Sequence, residues 1–197
     1  MNLSNFLKIY QNKIHYIFNN NRKLFHELFW FILSFLIGFI LMVLLAEKEP
    51  IVDFIKNSSF TSFIQDSLII QTRFILNITG YQNYVDGNFL QIHGTEGVVF
   101  VFGCLGIRHF ALFSGFIIVY PGKILNKLWF ILSGIIILHF LNLFRIILIC
   151  ITQVNYIEFT GFVHYYVSRI IMYSGIFILW LVWMNLFSTI KSKKSYK

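Results

Sequence analysis

The chain has 197 residues, 57% of them hydrophobic, 19% aromatic and 12% charged, with a mean hydropathy of +0.72 and a net charge of +8. Soluble domains carry about 25% charged residues, so a water-soluble fold is excluded. With Phe at 24 positions and Pro at 2, so are disordered and collagen-like chains.

In chain order, residues 1–27 are polar and basic and read as a cytoplasmic segment. Residues 28–46 are apolar and end in Glu47-Lys48-Glu49-Pro50 rather than in a small-residue cleavage site, which predicts a retained membrane helix and not a signal peptide. Residues 63–80 are interrupted by Gln65, Asp66, Gln71, Arg73 and Asn77. An ionised Asp or Arg at the bilayer centre costs about 2.5–3.5 kcal/mol, so this stretch is expected to lie at the interface as an amphipathic helix. Next, Asp86-Gly87 between short β-prone runs predicts a small β-hairpin over residues 84–92. Three more apolar segments follow, at 98–120, 128–151 and 170–187, each long enough to cross an apolar layer of about 30 Å. The last residues, 188–197, form a basic tail.

The expected architecture is an all-α membrane fold. It is a polytopic helical bundle of about four spans forming one membrane-embedded catalytic domain over residues 28–187, with the amphipathic helix and hairpin on its outer face. Charge orients it. Lys8, Lys13, Arg22 and Lys23 precede the first span, Lys123 and Lys127 join the second to the third, and Lys191, Lys193, Lys194 and Lys197 follow the fourth. The positive-inside rule makes that side cytoplasmic, with both termini on it. A fifth span at 63–80 would separate the termini.

Ionisable residues inside a membrane are costly and are functional candidates by default. Here they are Arg108, His109, His139 and Arg145, with Cys104 as a nucleophile. If 98–120 is one helix entering from outside, Cys104 lies about 9 Å along it, and Arg145 lies about 9 Å short of the outer end of the third span. His164 follows in the outer loop or at the outer start of the fourth span. These three residues therefore share one depth. Arg108 is one turn from Cys104 and on its face. His109 then points elsewhere and reads as structural. His139, Asn142 and Arg145 recur every third residue and read equally as an interhelical hydrogen-bond stripe. Cys150 reads as a small packing residue. Two cysteines are too few for a disulfide framework, although a Cys104–Cys150 bridge stays open at an oxidising face.

Cys, His and Arg without a carboxylate suit acyl transfer or peptide cleavage. The thiolate attacks, a His takes and returns the proton, and an Arg stabilises the oxyanion of the tetrahedral intermediate. There is no HExxH, no Gly-rich nucleotide loop and no Cys-pair zinc spacing, so no metal or other cofactor is expected, nor is a nucleic-acid partner. Two other readings use the same residues: a non-catalytic membrane subunit or small transporter component held by interhelical polar contacts, and an acyltransferase with a lipid donor.

At these residues the sequence resembles the exosortase/archaeosortase family of membrane transpeptidases. Phe102-Gly103-Cys104-Leu105-Gly106-Ile107 looks like the family's Cys-small-Gly-Ile segment, Asn142-Leu143-Phe144-Arg145-Ile146 matches its Asn-x-x-Arg-Ile, and Gly161-Phe162-Val163-His164 matches its downstream His. The similarity covers residues 98–187. Leu105 is a departure, standing where the family usually has Ser or Ala. The resemblance implies a bacterial inner-membrane enzyme whose site faces the periplasm. Its substrates would be exported proteins ending in a short motif, a hydrophobic helix and a basic tail, passed to a glycan or lipid-linked acceptor. Cys104 would be the nucleophile, His164 the acid/base and Arg145 the oxyanion stabiliser, with Arg108 and Asn142 as binding residues. Arg108 is also a second candidate for favouring the thiolate.

Overall fold

The computed structural model describes residues 22–190, so most of the expected cytoplasmic segment 1–27 and of the tail 188–197 lies outside the described residues. The chain is a multi-pass helical membrane protein with a small sheet. Helix α1 (Arg22–Glu47) leads into the short α2 (Ile51–Lys56) and then α3 (Ser59–Ile78). Strands β1 (Asn83–Asp86), β2 (Phe89–Ile92) and β3 (Val98–Val99) form an antiparallel sheet in that order. A 3-10 turn at Phe102–Cys104 precedes α4 (Ile107–Val119), and α5 (Ile124–Asn155) follows. The last helical run starts as a 3-10 turn at Ile157–Phe159. It then passes through a single α turn and a π turn at Val163–Val167, and continues as α6 (Ser168–Leu186).

Three of these stretches, Leu24–Leu45, Ile124–Asn155 and Ile157–Leu186, are long and apolar enough to cross a membrane. The expected second span, 98–120, is not one helix. Its first residues pair with β2, its middle is a 3-10 turn, and only 13 residues are α-helical, a rise of about 20 Å. An apolar run rich in valine reads equally as a buried strand or a helix, and Gly106 at φ 83° forces a break at which the helix starts afresh. The fourth apolar segment begins upstream of residue 170, because the helical run reaches back to Ile157.

Helices α1, α4, α5 and α6 alternate in direction. Phe31 of α1 meets Phe116 of α4 edge to face at 5.5 Å, while Met42, near the end of α1, reaches the start of α4. Helix α5 returns, with Gln153 donating to the Gly97 carbonyl near its end. Helix α6 descends, stacking Trp180 on Phe116 at 4.3 Å and Trp183 on Phe187 at 5.5 Å. One end of this bundle is capped by α2, α3 and the sheet. At the other end the α4–α5 link bridges to the residues after α6, Gly122 pairing with Ser188. With no hydrophobic drive between helices in lipid, close backbone packing has to hold the pair α1/α4. A Cβ on Gly38 would lie 2.8 Å from the Leu112 carbonyl oxygen, and one on Gly115 would lie 2.7 Å from Gly38 Cα. Only glycine allows that approach.

Helix α3 has three sectors. Thr61, Ile64, Leu68, Thr72 and Leu76 are buried against the bundle, Phe63, Ile70, Phe74 and Ile78 are exposed on one flank, and Ser62, Asp66, Arg73 and Asn77 are exposed on the other. The helix is thus amphipathic, with one face packed on the bundle and separate apolar and polar exposed flanks. Ser58 caps it by accepting from the Thr61 amide, and His139 in mid-α5 is hydrogen-bonded to Gln71 at 2.9 Å. The expected hairpin is there, turning at Gly87-Asn88. The third strand was not anticipated, since two residues carry no alternation to read.

Candidate active site

The sheet hands the chain to Cys104 through a few fixed points. Phe100 donates its amide to the Asn88 carbonyl and is 1% exposed, and the Cys104 amide bonds the Val101 carbonyl at 2.7 Å. Leu105 then drops into the core, fully buried, and Gly106 turns left-handed to start α4, its carbonyl accepting the amides of His109 and Phe110. Asn142 of α5 locks the turn, donating its side-chain amide to the Cys104 carbonyl at 2.9 Å. A Cβ at residue 106 would only touch that same Asn142 amide, at 3.4 Å, so it is the left-handed φ of 83° that favours glycine. Thus Gly106 and Asn142 are one device. Gly106 supplies the left-handed turn, and Asn142 fixes the Cys104 carbonyl just before it.

Non-helical backbone at membrane depth is tolerated only where protein buries it or where it lines a polar cavity. Both conditions hold here. Beside the turn lies a cavity of about 400 Å³. Cys104, Arg108 and His109 line it from the turn and the first turn of α4, Arg145 from α5, and Met42 from α1. His164, Tyr165, Ser168, Arg169 and Tyr173 close it from the last helical run. Cys104, Arg145 and His164, taken from the sequence as a set, are therefore in one cavity, with Arg108 among them and Asn142 bonded to its rim. Arg145 is ten residues before the end of α5, so the site is recessed by about 15 Å from that end.

The way they converge differs from a simple depth match. Cys104 is not on a helix, so its position is set by the turn and by Asn142 rather than by a rise from residue 98. Asn142 and Arg145, one helical turn apart, share a buried face of α5. His164 sits in the π turn, exposed, with its ring edge-on to Tyr165 at 4.9 Å. Such five-residue turns are found at functional sites because the extra residue re-aims a side chain.

His109 corrects the sequence reading. It does not point away from the site but lines it, its ring against Tyr173 at 5.4 Å and its Nδ1 buried without a hydrogen-bond partner. The helical phase assumed from Cys104 through Arg108 to His109 does not carry across Gly106. Arg169 and Ser168 were also missed, since the last span was begun at residue 170. Following that apolar run back past His164 would have found them.

The wall carries three guanidiniums and two imidazoles and no carboxylate. Arg108 Nε, Arg145 Nε, His109 Nδ1 and Ser168 Oγ are buried without hydrogen-bond partners. Unpaired buried donors are costly, so such a cluster is built for a group that accepts from them, a carbonyl or an oxyanion above all. Cys150 lies apart, buried in α5, and both thiols are free.

A second cavity, of about 670 Å³, adjoins the first on the far side of the turn, with Gly103 and Arg108 lining both. Its other walls come from the capped end: Glu49, Lys56, Gln65 and Asn88 among them. On its rim Glu49 is held above the usual carboxylate pKa, chiefly by its side-chain hydrogen bond with Asp53.

The model of the transmembrane exosortase family matches residues 25–181 of the chain. No curated protein and no solved structure matches it.

Proposed function

The chain belongs to the transmembrane exosortase family, and on that footing we propose that it is a membrane-embedded cysteine transpeptidase that cleaves C-terminal sorting signals of exported proteins and transfers those proteins to an acceptor. The observation that carries this reading is the single cavity in which Cys104, Arg145 and His164 meet from three separate elements.

The residues divide the work as follows. His164 takes the thiol proton, and Cys104 Sγ attacks the scissile carbonyl carbon. A C–S bond forms and the carbonyl π electrons move onto oxygen. Arg145, with its unpaired Nε–H, donates to that oxyanion, where preorganised charge is worth most. As the intermediate collapses the C–N bond breaks, the amine leaves with the proton held by His164, and a thioester remains on Cys104. An acceptor nucleophile then reverses the sequence and frees the thiolate. Asn142 and Gly106 keep the sulfur's backbone in place. His109 and Tyr173 shape the opposite wall.

In this reading the protein sits in the bacterial inner membrane with both termini in the cytoplasm and the capped end in the periplasm. The signal's hydrophobic helix lies beside the spans, next to the cavity that Met42 and Tyr173 help to line. Its basic tail remains on the cytoplasmic side. Replacing the nucleophile is the test. In the native host, Cys104→Ala accumulates surface proteins that retain their hydrophobic, basic-ended tails, with the variant present in the membrane at normal level. Normal processing in both Cys104→Ala and Cys104→Ser sinks the assignment.

A further inference from the structure

We propose that the larger cavity beyond the Cys104 turn is the acceptor subsite, and that it takes a hydroxyl-bearing head group with an anionic substituent such as phosphate or uronate. This rests on the transpeptidase reading above and adds to it where the second substrate binds and what it is made of.

The two cavities differ in what walls them. The site cavity is built by α1, α5 and the last helical run, the three stretches long and apolar enough to cross a membrane, together with α4 and the Cys104 turn. The larger cavity draws on the Glu49–Lys56 segment, α3, the hairpin turn and residues 100–103, with nothing from α5 or α6. A donor whose tail is a membrane helix reaches the thiol from the first side, so the second side is free for an acceptor during the lifetime of the thioester. Gly103 lines both cavities, and nothing lies within 4 Å of where its Cβ would be, so no side chain stands between them at that position.

The lining selects the ligand. Arg108 faces both cavities, and its buried Nε has no partner. Lys56 pairs with Asp53 at 3.8 Å and also feels the Glu49 charge, but the pair is exposed, worth little and easily re-formed around a better anion. Gln65 and Asn88 supply neutral amides that suit sugar hydroxyls. Two cations face one carboxylate, Glu49. The volume falls within the range of about 300–1,000 Å³ usual for small-molecule sites, enough for a sugar ring and its phosphate. In the transfer step the acceptor hydroxyl oxygen attacks the thioester carbonyl. The C–O bond forms, the C–S bond breaks with its electron pair returning to Cys104 sulfur, and the hydroxyl proton passes to His164. The product is an ester.

The test uses the full chain in native membranes and measures two quantities, the Cys104 thioester and the transferred conjugate. Gln65→Trp fills the cavity from α3, a helix that contributes no residue to the site cavity. It should leave thioester formation unchanged and reduce conjugate at least tenfold, with hydrolysed product or persisting thioester in its place. Hydroxylamine, too small to need a subsite, should release the thioester equally fast in variant and wild type. The double variant Lys56→Gln, Gln65→Ala, which cannot fail by overpacking, should lower conjugate about tenfold, as the loss of one charge-assisted hydrogen bond predicts. Conjugate recovered with lipid identifies a membrane-linked head group, and conjugate recovered in the aqueous phase a soluble one; both carry the proposal. A fall in thioester itself assigns the cavity to the donor polypeptide and overturns it, as does unchanged conjugate in both variants. Absence of any Cys104 thioester in the wild type would instead overturn the transpeptidase reading.

Discussion

Along α1 and α4, from the Phe31–Phe116 contact to Gly38 and Gly115, the two backbones touch, with Ser34 of α1 fully buried in that stretch. One helical turn beyond Gly38, Met42 stands across a cavity from Arg108 and His109, and four buried polar atoms have no partner. The same two helices build both regions. Where they are held by glycine the packing is dry and close, and that contact gives α4, only 13 residues long, a fixed height in the bundle. Where they part, the short helix ends below its neighbours and the Cys104 turn occupies the difference. The seam carries stability and the cavity spends it, since unpaired guanidinium and imidazole groups are tolerated only if the surroundings are rigid.

That contrast can be broken from either side. The largest expected effect is in the cavity. Arg145→Gln should lower the single-turnover rate of thioester formation by about 10²–10³ while leaving the melting midpoint in detergent near wild type, because the donor acts mainly in the transition state. Arg145→Lys should restore little, since a point charge does not reproduce the guanidinium fork. At the seam the signs reverse. Gly115→Ala should cost about 1–3 kcal/mol of stability by forcing two backbones apart, and should lower activity only in proportion to folded protein. Thermal unfolding in detergent alongside activity per folded molecule separates the two.

Asn142→Ala tests the border between the regions. It removes the bond to the Cys104 carbonyl and should cost about 1–3 kcal/mol, with activity per folded molecule falling too because the thiol's turn loosens. The smallest effect is at His139 and Gln71, which hydrogen-bond to each other on the flank away from the cavity. A double-mutant cycle with His139→Leu and Gln71→Leu should give a coupling of about 0.6 kcal/mol and unchanged processing. A large loss of processing there would mean that the α3–α5 contact itself, and not only Gln65 on α3, contributes to the chemistry.

Much of this was legible in the residues themselves. The membrane class, the helical bundle and the hairpin follow from hydropathy and turn chemistry, and the family resemblance was borne out by the match over residues 25–181. Cys104, Arg145 and His164 stood out because ionisable or reactive groups are rare in apolar stretches. Leu105, a departure from the family pattern, has a packing reason: it is a fully buried core residue beneath the turn. What failed did so at points where a single backbone angle decides. Periodicity assumes a continuous helix, and Gly106 in the left-handed region resets the phase, so His109 faced the wrong way in the sequence reading. The π turn at Val163–Val167 likewise shifts the register that relates His164 to Ser168 and Arg169.

The sequence by itself determined that this chain lives in a membrane, where its apolar segments lie, and which few polar residues lie among them. Transfer free energies are local and additive, so hydropathy suffices for that. Only the tertiary structure decided that α4 is short, that Asn142 clamps the Cys104 carbonyl, and that two cavities share Gly103 and Arg108. Those features depend on contacts between residues 38 or more positions apart, through glycine close approach and one side-chain amide, and no local pattern encodes them.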